Sequence, residues 1–124
     1  MNLSTWALLL AAMRVAIGLA PIVAAGPTSR LLGFPAAHDN ATARLMARWF
    51  GVRDVGLGAL VVIFLNEPAA LRRVLWFNLA MDAGDAVMIA IPLARRQGID
   101  RAALLSLTFA LGGAVAWTIA LTAF

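Results

Sequence analysis

Six charged side chains interrupt runs of residues that are otherwise apolar. They are Arg14, Arg48, Arg53, Asp54, Asp82 and Asp85, with Asn78 one turn before Asp82. A charge at the centre of a bilayer costs about 2.5–3.5 kcal/mol on insertion scales, so ionisable residues at that depth are functional candidates by default. Arginine and aspartate in a low-dielectric interior can satisfy each other by charge-assisted hydrogen bonds. Two carboxylates beside an arginine can also divide into an acid and a base, because neighbouring environments separate their affinities for the proton.

The elements that position these residues follow from composition. Of 124 residues, 63% are hydrophobic and 13% charged, with a mean hydropathy of +0.90. A soluble domain is about 45–50% apolar and about 25% charged, and a small one cannot bury this much apolar surface. A helix spanning the hydrocarbon core needs about 20 residues. Four segments have that length, about Leu3–Ala25, Arg44–Leu65, Leu71–Ala94 and Ala102–Phe124. The expected fold is therefore all-α, a four-transmembrane-helix bundle forming one domain over residues 1–124. Gly26-Pro27, Asn66-Glu67-Pro68 and Arg95-Arg96-Gln97-Gly98 punctuate the helix ends, and Asp100 is placed to cap the last helix. Ser29–Phe34, in the long first loop, reads as a short amphipathic turn at the interface. Asn40-Ala41-Thr42 matches a glycosylation sequon but reads as a helix start.

Helical rise converts position into depth. Measured from the first-loop side, Arg14 lies roughly 16 Å in, Arg53 and Asp85 roughly 14 Å, Asp54 roughly 15 Å, Asp82 roughly 18 Å and Arg48 roughly 6 Å. Charges from three helices thus converge on one layer. Asn78, Asp82 and Asp85 share one face of the third helix, and Gly51, Asp54 and Gly58 share one face of the second. Small residues on that face permit close helix approach, and Gly84 offers the same on the third helix. Arg53 points about 100° away from Asp54, so both reach the interior only if the second helix is central. The fourth helix carries no charge after Arg101; it reads as a packing helix, with Gly112-Gly113 as the candidate face for a homodimer. Trp6, Trp49, Trp76 and Trp117 fall near helix ends, as aromatic-belt residues do.

Other classes are excluded on composition. There is no cysteine and one histidine, His38, so no metal or cofactor is expected. All ten basic residues are arginines scattered among apolar runs, which makes no nucleic-acid-binding face. Residues 1–25 do not read as a signal peptide, because Arg14 interrupts the apolar region. The expected location is the bacterial inner (cell) membrane. Loops one and three hold Arg30, Arg44, Arg95, Arg96 and Arg101, against Arg72 and Arg73 in loop two. The positive-inside rule then places loops one and three in the cytoplasm and both termini outside.

At Arg48-Trp49-Phe50-Gly51-Val52-Arg53-Asp54-Val55-Gly56-Leu57-Gly58 the sequence resembles a family of small four-helix integral membrane proteins described as a domain of unknown function. Those proteins share an Arg, then Gly-x-Arg-Asp, a small-residue helix and a later Asp on the third helix. Arg48, Gly51, Arg53, Asp54 and Gly58 match the first part, and Asp82 or Asp85 matches the second. The resemblance implies the four-helix fold and marks the same polar residues; it implies no activity.

Three functional readings fit these residues. The first is an enzyme acting on a lipophilic small molecule within membrane lipid, by acid–base opening of an epoxide through hydrolysis or cyclisation. Asp54, Asp82 and Asp85 would carry acid–base roles, Arg53 and Arg14 would orient them, and Asn78, Arg48 and Trp49 would bind substrate. The second is a small transporter or channel that uses the midplane charges; four helices rarely enclose a path alone, so it requires a homodimer. The third is an accessory subunit whose charges pair with a partner helix, or a purely structural cluster.

Overall fold

The computed structural model describes residues 1–124. The protein is all-α, with five α-helices: α1 (Leu3–Val23), α2 (Ala25–Leu32), α3 (Ala41–Ile63), α4 (Pro68–Ala94) and α5 (Asp100–Leu121), and a single 3₁₀ turn at Ala36–His38. Apolar segments of this length satisfy their backbone groups internally, which selects helices. Three of them, α1, α4 and α5, are long and apolar enough to cross a membrane. α3 has the length, with 23 residues, but carries Arg44, Arg48, Arg53 and Asp54. The four-span expectation is thus met by composition in three helices. Only 22 of the 124 residues are buried, and large apolar side chains such as Val52, Ile63, Phe77, Val87 and Val115 lie on the outside. That surface suits a chain whose solvent is lipid.

Helix starts are set locally. The Asn2 side chain accepts a hydrogen bond from the Thr5 N–H (2.8 Å), and the Asn40 side chain accepts one from the Ala43 N–H (2.9 Å). The sequon-like stretch is therefore an N-cap, as read. Pro68 opens α4, where its missing N–H is not required.

Several expectations about helix ends need correction. α1 ends at Val23, not at Gly26-Pro27. Pro27 cannot donate to the Val23 carbonyl, so the helix breaks three residues earlier, at Ala24 (φ −142°, ψ 66°). Gly26 and Pro27 then lie in the first turn of α2. Ser29–Phe34 is not an isolated turn; most of it belongs to that eight-residue helix, which ends at Gly33 in the left-handed region (φ 92°). A Cβ on Gly33 would lie 2.8 Å from Arg101 Cγ, so this end of α2 rests against the start of α5. Asp100 caps nothing. It is the first residue of α5, Ile99 occupies the cap position, and the carboxylate sits in the first turn, where the helix dipole favours it.

The long helices pack as two antiparallel pairs, α1 with α3 and α4 with α5, and contacts between the pairs are sparse. Gly18 faces Gly51 and Ala11 faces Gly58, seven residues apart on each helix. A Cβ on Gly18 would lie 2.6 Å from the Gly51 carbonyl oxygen, and one on Gly58 would lie 2.9 Å from that of Ala11. The Gly51/Gly58 face of α3 thus permits the close approach expected of it. Gly84 has no such role, since nothing lies within 4 Å of where its Cβ would be.

Apolar packing joins the two pairs at one end only. Ala7, Leu10, Ala11, Val61, Leu71, Leu75, Trp117 and Ala120 form a continuous buried core beside the chain termini and the α3–α4 turn. There the Trp6 indole N–H also donates to the Ala116 carbonyl (3.1 Å), tying α1 to α5. Towards the first loop the pairs separate, and α2 lies across that end, contacting α1, α3 and α5. The result is a wedge: closed below by apolar packing, open above, roofed in part by α2.

Candidate functional site

The charged layer lies where the wedge begins to open. Arg14 of α1 is buried (6% exposed) and reaches across to α4. Its Nη1 and Nη2 donate to Asp82 Oδ1 at 2.9 and 2.6 Å, and its Nε donates to Asn78 Oδ1 at 2.9 Å. Asn78 is itself held by donating from Nδ2 to the Val74 carbonyl at 3.0 Å. Asp82 Oδ2 accepts from the Trp117 indole N–H at 2.9 Å, and the Arg14 guanidinium lies 5.7 Å from the centroid of that ring. This half of the layer is hydrogen-bonded on every side.

The other half is looser. Arg53 of α3 makes a two-pronged pair with Asp85 of α4, Nη1 to Oδ1 at 2.9 Å and Nη2 to Oδ2 at 2.6 Å. The same Nη2 reaches Asp54 Oδ1 at 3.2 Å. The Arg53 guanidinium stacks on Phe50, 4.8 Å from the ring centroid, while its Nε is buried without a partner. Asp54 is buried (4% exposed), yet its Oδ2 accepts no hydrogen bond within the chain. One guanidinium here serves two carboxylates.

Above this layer lies a cavity of about 1110 Å³, whose floor includes Arg14, Asp54, Asp82 and Asp85 and whose lining is mostly hydrophobic. Its walls come from both helix pairs, with Ile17 and Phe50 on one side and Met88 and Phe109 on the other. It extends up to Thr28, Ser29 and Arg30 of α2. A large apolar pocket with a few convergent polar groups is the usual form of a small-molecule site.

Of the residues singled out in the sequence, the structure brings Arg14, Arg53, Asp54, Asn78, Asp82 and Asp85 into one network. Arg48 and Trp49 stand outside it. Both are exposed, and neither lines the cavity. At one turn nearer the helix start, on the outer side of α3, they face away from the pair interface.

Two members of the site were not anticipated. Trp117 is not a belt residue: it is 2% exposed and is the second ligand of Asp82. Gly113, one turn before it, makes room for Asp82, since a Cβ there would collide with Asp82 Oδ2. So α5 is more than a packing helix: Gly112 and Gly113 both line the cavity, and Gly113 also gives Asp82 its space. The spacing Gly113, Trp117, Ala120 marks one helical face of small and amphipathic residues, the signal that could have found them.

Comparison with known proteins adds no counterpart: no family model, curated protein or solved structure matches the chain. The likeness to the four-helix membrane family therefore rests on the Gly-x-Arg-Asp stretch alone.

Proposed function

We propose that the chain is a four-span protein of the bacterial inner membrane that takes a lipophilic small molecule into the wedge and opens an epoxide on it by acid–base chemistry. The fourth span is α3. Its Arg53 and Asp54 turn inward onto partners, while Leu45, Trp49, Val52, Leu60 and Ile63 give it an apolar outer face. The observation that carries the reading is the meeting of a mostly hydrophobic cavity of about 1110 Å³ with a floor of three carboxylates and the Arg14 guanidinium, backed by the Arg53 guanidinium.

With Arg53 counted, this charged layer carries one more negative group than positive. A single proton on the carboxylates neutralises it, as a low-dielectric site favours. Asp54, with an unpartnered oxygen, is the group best placed to hold that proton towards a ligand. Asp85, a quarter exposed at its side chain, is the group best placed to receive one from water. In hydrolysis, water oxygen attacks an epoxide carbon as the bond from that carbon to the ring oxygen breaks. Asp54 gives its proton to the ring oxygen and Asp85 takes the proton of the attacking water. The product is a diol, and the proton count of the pair is unchanged. In cyclisation an alkene replaces water as the nucleophile, and the base removes a proton from the resulting cation.

A channel fits less well, because the packed core from Leu10 to Ala120 closes the wedge beneath the charges. The test is to incubate the purified protein with a panel of lipophilic epoxides and follow diol or cyclised product by mass spectrometry. Turnover that disappears in Asp54→Asn supports the proposal; no product from any epoxide, with the protein folded, overturns the enzymatic part.

A further inference from the structure

The cavity is longer than its floor requires. Along α1 alone its lining runs from Arg14 in the floor to Pro21, a rise of roughly 10 Å, before it turns under α2. A compact molecule seated on the carboxylates would leave the upper half empty. The upper end also differs in chemistry from the floor. It is lined by the Thr28 and Ser29 side chains, by His38 and by Arg30 and Asp39.

Of the charged pair among these, Asp39 is hydrogen-bonded and Arg30 is not. Asp39 commits both oxygens to Arg44, Oδ1 to Nε at 2.7 Å and Oδ2 to Nη2 at 3.0 Å. Arg30 comes no nearer to Asp39 than 3.8 Å, and its side chain is 64% exposed. Arg101, outside the lining, packs against Gly33 at the end of α2 and brings a further positive charge to this end of the protein. The mouth is therefore cationic while the charged layer at the floor, fully ionised, is anionic by one charge. An arginine presents a planar fork matched to a carboxylate.

We propose that the molecule held in the wedge is an elongated anionic amphiphile, a single-chain carboxylate, with its head on Arg30 at the mouth and a mid-chain polar group against Asp54 and Asp85. This rests on the lipophilic-site reading above and adds the charge and shape of the ligand. It also orients the ligand: the reversed pose would set a carboxylate against three aspartates.

The experiment uses the full chain in a non-ionic detergent and three probes: the mid-chain epoxide of a long saturated fatty acid, its methyl ester, and the amine of the same chain. Binding is measured by native mass spectrometry for the wild type, Arg30→Gln and Arg30→Lys. The acid should bind about tenfold or more tighter than the ester, the size of one charge-assisted hydrogen bond. Arg30→Gln should remove that preference without weakening the ester, and Arg30→Lys should keep part of it. Because Arg30 is exposed, neither change should disturb folding. Equal binding of acid and ester, or an unchanged preference in Arg30→Gln, overturns the head-group assignment and leaves the cavity reading intact. Tightest binding of the amine overturns it too, and shows that the floor sets the charge preference. Binding of none of the three overturns both readings.

Discussion

Arg14–Asp82 and Arg53–Asp85 use the same side-chain types on the same helix α4, one turn apart, yet they are embedded differently. The first pair is sealed, with side chains 6% and 10% exposed; the second is open, with side chains 29% and 25% exposed. Around the first, Asn78, Trp117 and the gap at Gly113 leave no free donor or acceptor facing the cavity. Around the second, one arginine is shared by Asp85 and Asp54, an Nε is unpaired and a carboxylate oxygen is free. A fully satisfied buried pair fixes register between α1 and α4. An under-satisfied one keeps groups available for a ligand. The contrast fits the first pair to holding the helix pairs at their spacing, and the second to the chemistry proposed above.

The contrast can be broken by mutation. The largest effect is expected at Asp82. Asp82→Ala strands the buried Arg14 charge and should cost about 3–5 kcal/mol of stability, read as thermal unfolding in detergent. Asp85→Ala, in the open half, should cost well under half of that. Equal losses would erase the distinction between the pairs. Replacing Arg14 and Asp82 together by Met and Leu should restore much of the loss, because apolar isosteres often replace a buried pair without penalty.

Asp54→Asn should do the reverse. It keeps the shape and leaves unfolding nearly unchanged, but should lower epoxide turnover by about a hundredfold or more, the usual weight of a general acid. A matching loss of stability with turnover intact would move Asp54 to the structural side.

Trp117→Phe should come next. It leaves Asp82 Oδ2 buried without a donor, at a cost of about 1–3 kcal/mol. Phe50→Leu, which removes only the stacking on Arg53, should cost about 0.5–1 kcal/mol. The same melting experiment ranks the two.

The smallest effect lies at the mouth. The hydrogen bond from Arg44 holds the Asp39 carboxyl below the usual carboxylate range, with the Arg44 and Arg30 charges adding to it. A carboxyl lowered in the folded state stabilises above its ordinary range, and that contribution is lost as pH falls through the lowered value. Asp39→Asn should remove this acid response, a minor one that salt screens. An unchanged acid limb of the melting profile would show that the tie contributes nothing.

Much of the architecture was legible in the sequence. Apolar runs of spanning length at the places of α1, α4 and α5, the helix start at Asn40, and the common depth of Arg14, Arg53, Asp54, Asp82 and Asp85 all follow from residue type, composition and helical rise. Periodicity also placed Gly51 and Gly58 beside Asp54 on the close-packed face of α3. Misreadings clustered where a residue type has two uses. Trp117 near a chain end looks like a belt residue, and Gly113 looks like no more than half of an outer contact stripe. Only the packing of α4 on α5 shows that one is a hydrogen-bond donor and the other holds the space for a carboxylate. Arg48 and Trp49 shared the motif but not the face.

The sequence alone determined that this chain prefers lipid to water and that its charges must meet, because unpaired charge at that depth is too costly to leave. Which arginine takes which aspartate was decided by tertiary structure. So was the separation of the two helix pairs above their common core, since a cavity exists only where side chains from different helices fail to touch, and no local pattern encodes that failure.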